Sequence, residues 1–182
     1  MHRDFSAALI LQHHNVDIGC GTGGQTMVIA SNAPCHIIGI DLIWSEGVVY
    51  TIGFERGINE WYKFLKHGGY IAVSEASWFA KNRPVEIESF WRDAYPEIDT
   101  ISNKIELMQK AGYIPTASFV LPESCWIDNF YVPQVSTQDD FLKKYKGNKM
   151  VEQFIANEKY EAELYYKYKQ YYGYVFYIGE KL

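Results

Sequence analysis

The sequence predicts an α/β domain built on a mostly parallel sheet, with its ligand at the carboxyl ends of the strands. Three observations carry that expectation. A short apolar run at residues 15–18 leads through Gly19-Cys20-Gly21-Thr22-Gly23-Gly24 into a helical stretch at residues 22–31. Apolar runs ending in an acid recur at residues 36–41 and 70–75. Helix-period segments then alternate with strand-like ones to the end of the chain.

Composition bounds the rest. With 182 residues, 48% apolar and 21% charged, the chain reads as one globular domain over residues 1–182. A net charge of −5 argues against a broad nucleic-acid footprint. Cys20, Cys35 and Cys125 show no CxxC spacing and no disulfide framework, which fits a cytoplasmic, reducing setting. The early apolar run Ala7-Ala8-Leu9-Ile10-Leu11 is too short for a signal core or a membrane span, so no membrane partner is expected. His13-His14 has no further ligand at metal spacing, and no metal is expected.

Taken in order, residues 1–14 form a short helix capped by Asp4, with Phe5, Ala8, Leu9 and Leu11 on its apolar face. Residues 15–18 are the first strand. Gly19 and Gly21 then let the backbone turn sharply towards a ligand, and the next helix offers its free N–H groups to an anion. Residues 36–41 are the second strand, apolar throughout and closed by Asp41, whose carboxylate suits a ribose diol.

Asp41 runs straight into residues 42–47, which read as another inward strand. As one element, residues 36–46 would span roughly 36 Å, about twice the usual strand. Two parallel neighbours would instead need a crossover of about 10–12 residues. None is present, so a segment is missing at the Asp41-Leu42 junction.

Residues 50–65 read as a helix from Phe54, Ile58, Trp61 and Leu65, with Lys66-His67-Gly68-Gly69 as its stop. Residues 70–75 are a strand ending in Glu75. Residues 84–111 are helical in two pieces divided near Pro96, and Gly112 ends the second. A strand follows at 113–121. Residues 138–172 are largely helical with a break at Gly147-Asn148, and residues 174–178 are the last strand.

The glycine turn alone permits two cofactors. Gly19-x-Gly21-x-x-Gly24 fits a nicotinamide dinucleotide fingerprint, while Asp17-x-Gly19-x-Gly21-x-Gly23 fits a second pattern. The second resembles the first motif of class I S-adenosylmethionine-dependent methyltransferases. Residues 36–41 are similar to that family's second motif and residues 42–47 to its fourth-strand motif. Leu65-Lys66-His67-Gly68-Gly69 before residues 70–75 is similar to its turn into strand five. The resemblance implies a Rossmann-like sheet with helices on both faces and an antiparallel last strand at the sheet edge. It also implies some 50 residues between the second- and fourth-strand motifs, which are lacking here. Residues 1–14 would be a partial lid helix, 15–83 the cofactor core and 84–182 a substrate-side half.

The resemblance also implies roles. Asp17 would meet the cofactor's methionine ammonium, and Gly19, Gly21 and Gly23 would line its methionine and ribose. Thr22, Gly24 and Gln25 would offer N–H groups to its carboxylate, and Asp41 would hold the ribose. Ser45 and Glu46 would border the methyl acceptor. Glu46 is the first candidate for a general base and Glu75 the second, needed only if the acceptor must lose a proton. Trp78, Trp126 and Tyr131 follow strands five and six, where aromatic walls can select a planar or cationic acceptor.

The expected activity is methyl transfer by in-line displacement to a small molecule, with S-adenosylhomocysteine as product. The acidic balance and the lack of an N/D-P-P-Y sequence weigh against a nucleic-acid amino-group methylase. A homodimer is compatible with this reading. The second expectation is a non-catalytic, truncated relative that binds cofactor weakly or serves as a scaffold, and a nicotinamide oxidoreductase is the third.

Overall fold

Side-chain alternation along residues 65–78 decides the layering, because every position from Ile71 to Trp78 is buried on one face or the other. The computed structural model describes residues 15–17 and 40–182, the first three as backbone. The helices expected at 1–14 and 22–31, and the glycine turn, lie outside the described residues.

The described strands are β1 (Asn15–Asp17), β2 (Ile40–Glu46), β3 (Leu65–Trp78), β4 (Asp99–Thr100), β5 (Tyr113–Val120) and β6 (Tyr172–Lys181). They form a six-stranded sheet in the order β1-β2-β3-β6-β5, with β4 also on β3. β1, β2 and β4 join parallel ladders, while β6 runs antiparallel to both β3 and β5.

The last strand is therefore antiparallel as expected, but it is not at the edge. Tyr172, Val175, Phe176 and Tyr177 are buried, so both faces of β6 need cover, and it lies between β3 and β5. β5 is exposed over its second half and takes the edge.

Helices cover both faces. α1 (Phe54–Tyr62) and α2 (Val85–Ala94) lie on opposite faces: on one, α1 packs Phe54, Ile58 and Trp61 onto Ile43, Ile71, Val73 and Tyr177, with Met108 of α3 (Ile101–Lys110) beside them. The other face carries Ile87 and Trp91 of α2. They join Trp126 and Tyr131, from the helical turn Ser124–Trp126 and the π turn Ile127–Tyr131. Beyond them lie α4 (Val132–Lys144) and α5 (Lys149–Tyr168), which adds Leu164, Tyr165 and Tyr168. Gly147, at φ 84°, makes the expected break between α4 and α5.

Several expected boundaries move, and two of them bear on the site. The helix expected over residues 50–65 is a 3₁₀ turn, Val49–Thr51, followed by α1. Gly53 separates them at φ 90°, where a Cβ would stand 2.7 Å from the Glu97 carboxylate. That carboxylate accepts the Phe54 N–H at 3.2 Å, so Glu97 caps α1 from a distant loop. Gly53→Ala is expected to cost about 1–3 kcal/mol, combining backbone strain with displacement of this cap. An unchanged urea midpoint would refute that account.

The second shift concerns Lys66-His67-Gly68-Gly69, which is not a helix stop but a bulge within β3. Pairing jumps from Ile40↔Leu65 to Leu42↔Tyr70. A Cβ on Gly69 would lie 2.9 Å from the Ile40 carbonyl oxygen, so the close backbone approach requires glycine.

Candidate functional site

Parallel register brings the carboxyl ends of β1, β2 and β3 to one edge of the sheet. Asp17 pairs with Trp44, and Glu46 pairs with Ser74. β3 then runs on past β2, and β4 takes the vacated side opposite Ser77 and Trp78. Asp17, Glu46 and the Ser74-Glu75 step thus share the end at which α/β sheets bind ligands.

The turn leaving this edge is held firmly. Gly47 adopts φ 59°, and its N–H donates to Ser74 Oγ at 2.8 Å. Tyr174 Oη lies 3.5 Å from where a Gly47 Cβ would be, so β6 closes the turn from the other side. Glu46 is exposed here and accepts a hydrogen bond from Trp44 Nε1 at 2.6 Å. An oriented, solvated carboxylate at the strand end can accept a proton or pair with a cation.

Glu75 is placed differently from the expectation. Its side chain is 0% exposed and lies on the α1–α3 side, with Lys104 Nζ 3.6 Å from Oε1. That distance is an ion pair but not a hydrogen bond, and neither carboxylate oxygen has a hydrogen-bond partner among the described residues. Lys104, 1% exposed, donates instead to the Glu97 carbonyl at 2.9 Å and stands 4.5 Å over the Phe54 ring. Burial pushes the Glu75 carboxyl above its ordinary range, against the pull of Lys104. Burial likewise lowers Lys104, against Glu75 and Glu97. Glu75 is part of a buried charge pair and does not open onto the strand ends.

Ser45 is corrected in the same way. It is 0% exposed on the face of Ile43, and its Oγ has no hydrogen-bond partner among the described residues. Trp78, Trp126 and Tyr131 are brought together, but as packed core. The Trp126 ring stacks on Tyr165 at 4.5 Å and meets Tyr174 at 4.9 Å and Tyr131 at 5.7 Å. Trp78 meets Tyr172 at 5.8 Å. The Tyr131 hydroxyl donates to Glu161 at 3.0 Å, and burial raises the Glu161 pKa more than this bond lowers it.

Asp41 is the clearest departure. It lies near the amino end of β2, opposite the edge that carries Glu46, and ion-pairs with Lys66 at 2.9 Å. One strand runs from Ile40 through Glu46, so Asp41 closes no strand tip. The reason is the bulge: β2 enters the sheet at Ile40, against Leu65, and continues without a turn. Gly19, Gly21, Thr22, Gly23, Gly24 and Gln25 lie outside the described residues.

A cleft of about 830 Å³ opens between α1 and α3, lined by Glu55, Asn59, Glu97, Asp99, Asn103 and Lys104 among others. Its described lining includes none of the predicted site residues, and α1 and α3 supply most of it. Sequence reasoning missed Lys104, Ser74 and Tyr174. Lys104 shares a helix face with Ile101, Leu107 and Met108, so a lysine on an apolar face was the available signal, and the other two read as ordinary strand positions.

No protein-family model matches the chain, and no curated protein sequence matches it. Solved structures do. A SAM-dependent methyltransferase from Geobacter sulfurreducens, in complex with S-adenosyl-L-homocysteine, superposes with a TM-score of 0.65 at 15% identity. That match covers 84% of this chain and 62% of the other. The cyclopropane synthase MmaA2 from Mycobacterium tuberculosis gives 0.67 at 13% identity, covering 96% and 73%. A phosphoethanolamine N-methyltransferase 2 from Haemonchus contortus gives 0.58 at 12%, covering 78% of this chain and 33% of that one. The chain thus has a Rossmann-like methyltransferase fold and spans a third of the Haemonchus enzyme's length.

Proposed function

We propose that this chain is a domain of an S-adenosylmethionine-dependent methyltransferase acting on a small-molecule acceptor. The observation that carries this reading is the shared strand edge, where Asp17 ends β1 and exposed Glu46 ends β2. Supporting it, solved chains of the same fold hold S-adenosylmethionine or S-adenosylhomocysteine.

The residues at that edge fit such a group. The bound cofactor supplies an electrophilic methyl on a sulfonium. The chain's own part is to bind, orient and exclude water. The Asp17 carboxylate offers a charge-assisted acceptor to an ammonium. The Gly47 turn, fixed by Ser74 and Tyr174, holds Glu46 where an acceptor would approach. Glu46 orients the acceptor, or takes its proton if one must be lost.

Asp17→Ala is expected to weaken cofactor binding at least about tenfold, or about 1.4 kcal/mol. Calorimetric titration with S-adenosylmethionine, S-adenosylhomocysteine and NAD tests the whole reading. Micromolar binding of both sulfur nucleotides without NAD supports it. NAD binding instead would favour an oxidoreductase.

The second reading, a non-catalytic relative, is an outcome of the same titration. Asp41 pairs with Lys66 away from the strand ends, so the ribose lacks the acid assigned to it. No binding of either sulfur nucleotide by folded 21.1 kDa protein would favour this scaffold reading.

A further inference from the structure

Residues 143–149 read Lys-Lys-Tyr-Lys-Gly-Asn-Lys, four cations without an acid in a chain of net charge −5. They form the turn between α4 and α5, and each is exposed. No described residue lies within 4 Å of a Cβ built on Gly147, so among the described residues the tip stands in the open. It is nonetheless a built turn. Asn148 caps α5 by accepting the Met150 and Val151 N–H groups at 3.1 and 3.4 Å, and the Phe141 and Tyr145 rings meet at 4.6 Å.

Large apolar side chains surround these lysines in the open. Met150 is 83% exposed and Phe154 56%, and α4 buries no residue at all. Lys143 pairs with Asp140 at 3.1 Å, but both side chains are more than three-quarters exposed, so the bond holds little of the charge. Lys146 and Lys149 form no ion pair among the described residues. Solvated lysines are ordinary, and so is a lone exposed methionine. Four exposed lysines followed by exposed Met150, with exposed Phe154 one helical turn further on, match one environment, an apolar layer beneath an anionic surface.

We propose that the α4–α5 tip docks on an anionic phospholipid surface, its lysines at the headgroups and Met150 and Phe154 entering the headgroup–acyl boundary. A second copy fits less well, because two such tips repel. A nucleic-acid duplex would pair with the lysines but leave Met150 and Phe154 in water. The expectation of no membrane partner rested on the lack of a span, and peripheral contact needs none. No described helix is long and apolar enough to cross a membrane.

Flotation with phosphatidylcholine vesicles, with and without phosphatidylserine, tests this on the full chain. The protein should float only with the anionic vesicles, and added salt should release it. The double variant K146Q/K149Q should weaken partition about 30-fold, each lysine near such a surface being worth about fivefold. Met150→Ser should weaken it while leaving the salt dependence unchanged. Lys146 lies in the turn and Lys149 and Met150 open α5, and all three side chains are exposed, so thermal unfolding should match the parent protein. The proposal is overturned by failure to float with anionic vesicles, or by flotation that the lysine changes do not alter. Lysine-dependent self-association or duplex binding in place of flotation would overturn it equally.

Discussion

Lys104→Met is expected to cost the protein about 3–5 kcal/mol, because it strands the Glu75 carboxylate without a counter-charge in the core. The cost should depend on pH in a definite direction. Burial already raises the Glu75 pKa above its ordinary 4.5, and removing Lys104 raises it further. The native state then holds this proton to higher pH than the unfolded chain does. Stability from this group is therefore full below about 4.5 and is lost as pH rises through the native pKa. Calorimetric unfolding of K104M should give a higher Tm at pH 5 than at pH 8, relative to the parent. The double variant E75Q/K104M should recover most of the loss, since no charge then stays buried. A K104M protein with parental Tm and no added pH dependence would show that Glu75 is solvated or otherwise paired.

Trp126→Ala is the second large effect, expected at about 3–5 kcal/mol. The ring touches Tyr131, Tyr165, Tyr172 and Tyr174, and joins the π turn to α5 and β6. Its removal opens a void that rigid neighbouring rings cannot close. Trp126→Phe should keep most of the stability because the stacking on Tyr165 survives. The pair separates two roles for this side chain. If W126A unfolds at the parental temperature yet no longer accepts a substrate, the aromatic layer is a ligand wall and not core.

The sequence and the fold agree most closely where local chemistry decides. Phe54, Ile58 and Trp61 mark α1 by their spacing, Gly112 and Gly147 sit at positive φ where helices stop, and Asn148 caps α5. The Rossmann-like sheet was legible from alternating elements and from the resemblance of its motifs. Register was not. Whether Asp41 ends one strand or lies in the next depends on where β2 meets β3, and that is set by the bulge at Gly69. A one-dimensional pattern carries no such information. The Glu75–Lys104 pair was hidden for a related reason. Lys104 shares its helix face with Ile101, Leu107 and Met108, so its burial is readable, but its partner emerges only when the sheet beneath supplies Glu75. Glu46, by contrast, lies at the end of its strand as expected.

The position of β6 has a consequence for how the chain comes to be folded at all. The central ladder pairs Tyr70 with Glu180 and Trp78 with Tyr172, partners separated by most of the domain. Contacts this distant in sequence are closed late and slowly, because the intervening loop entropy must be met before the ladder forms. During synthesis, the apolar edge of β3 therefore stays unpaired until the residues of β6 have left the ribosome. Until then that edge of β3 carries unpaired backbone N–H and C=O groups.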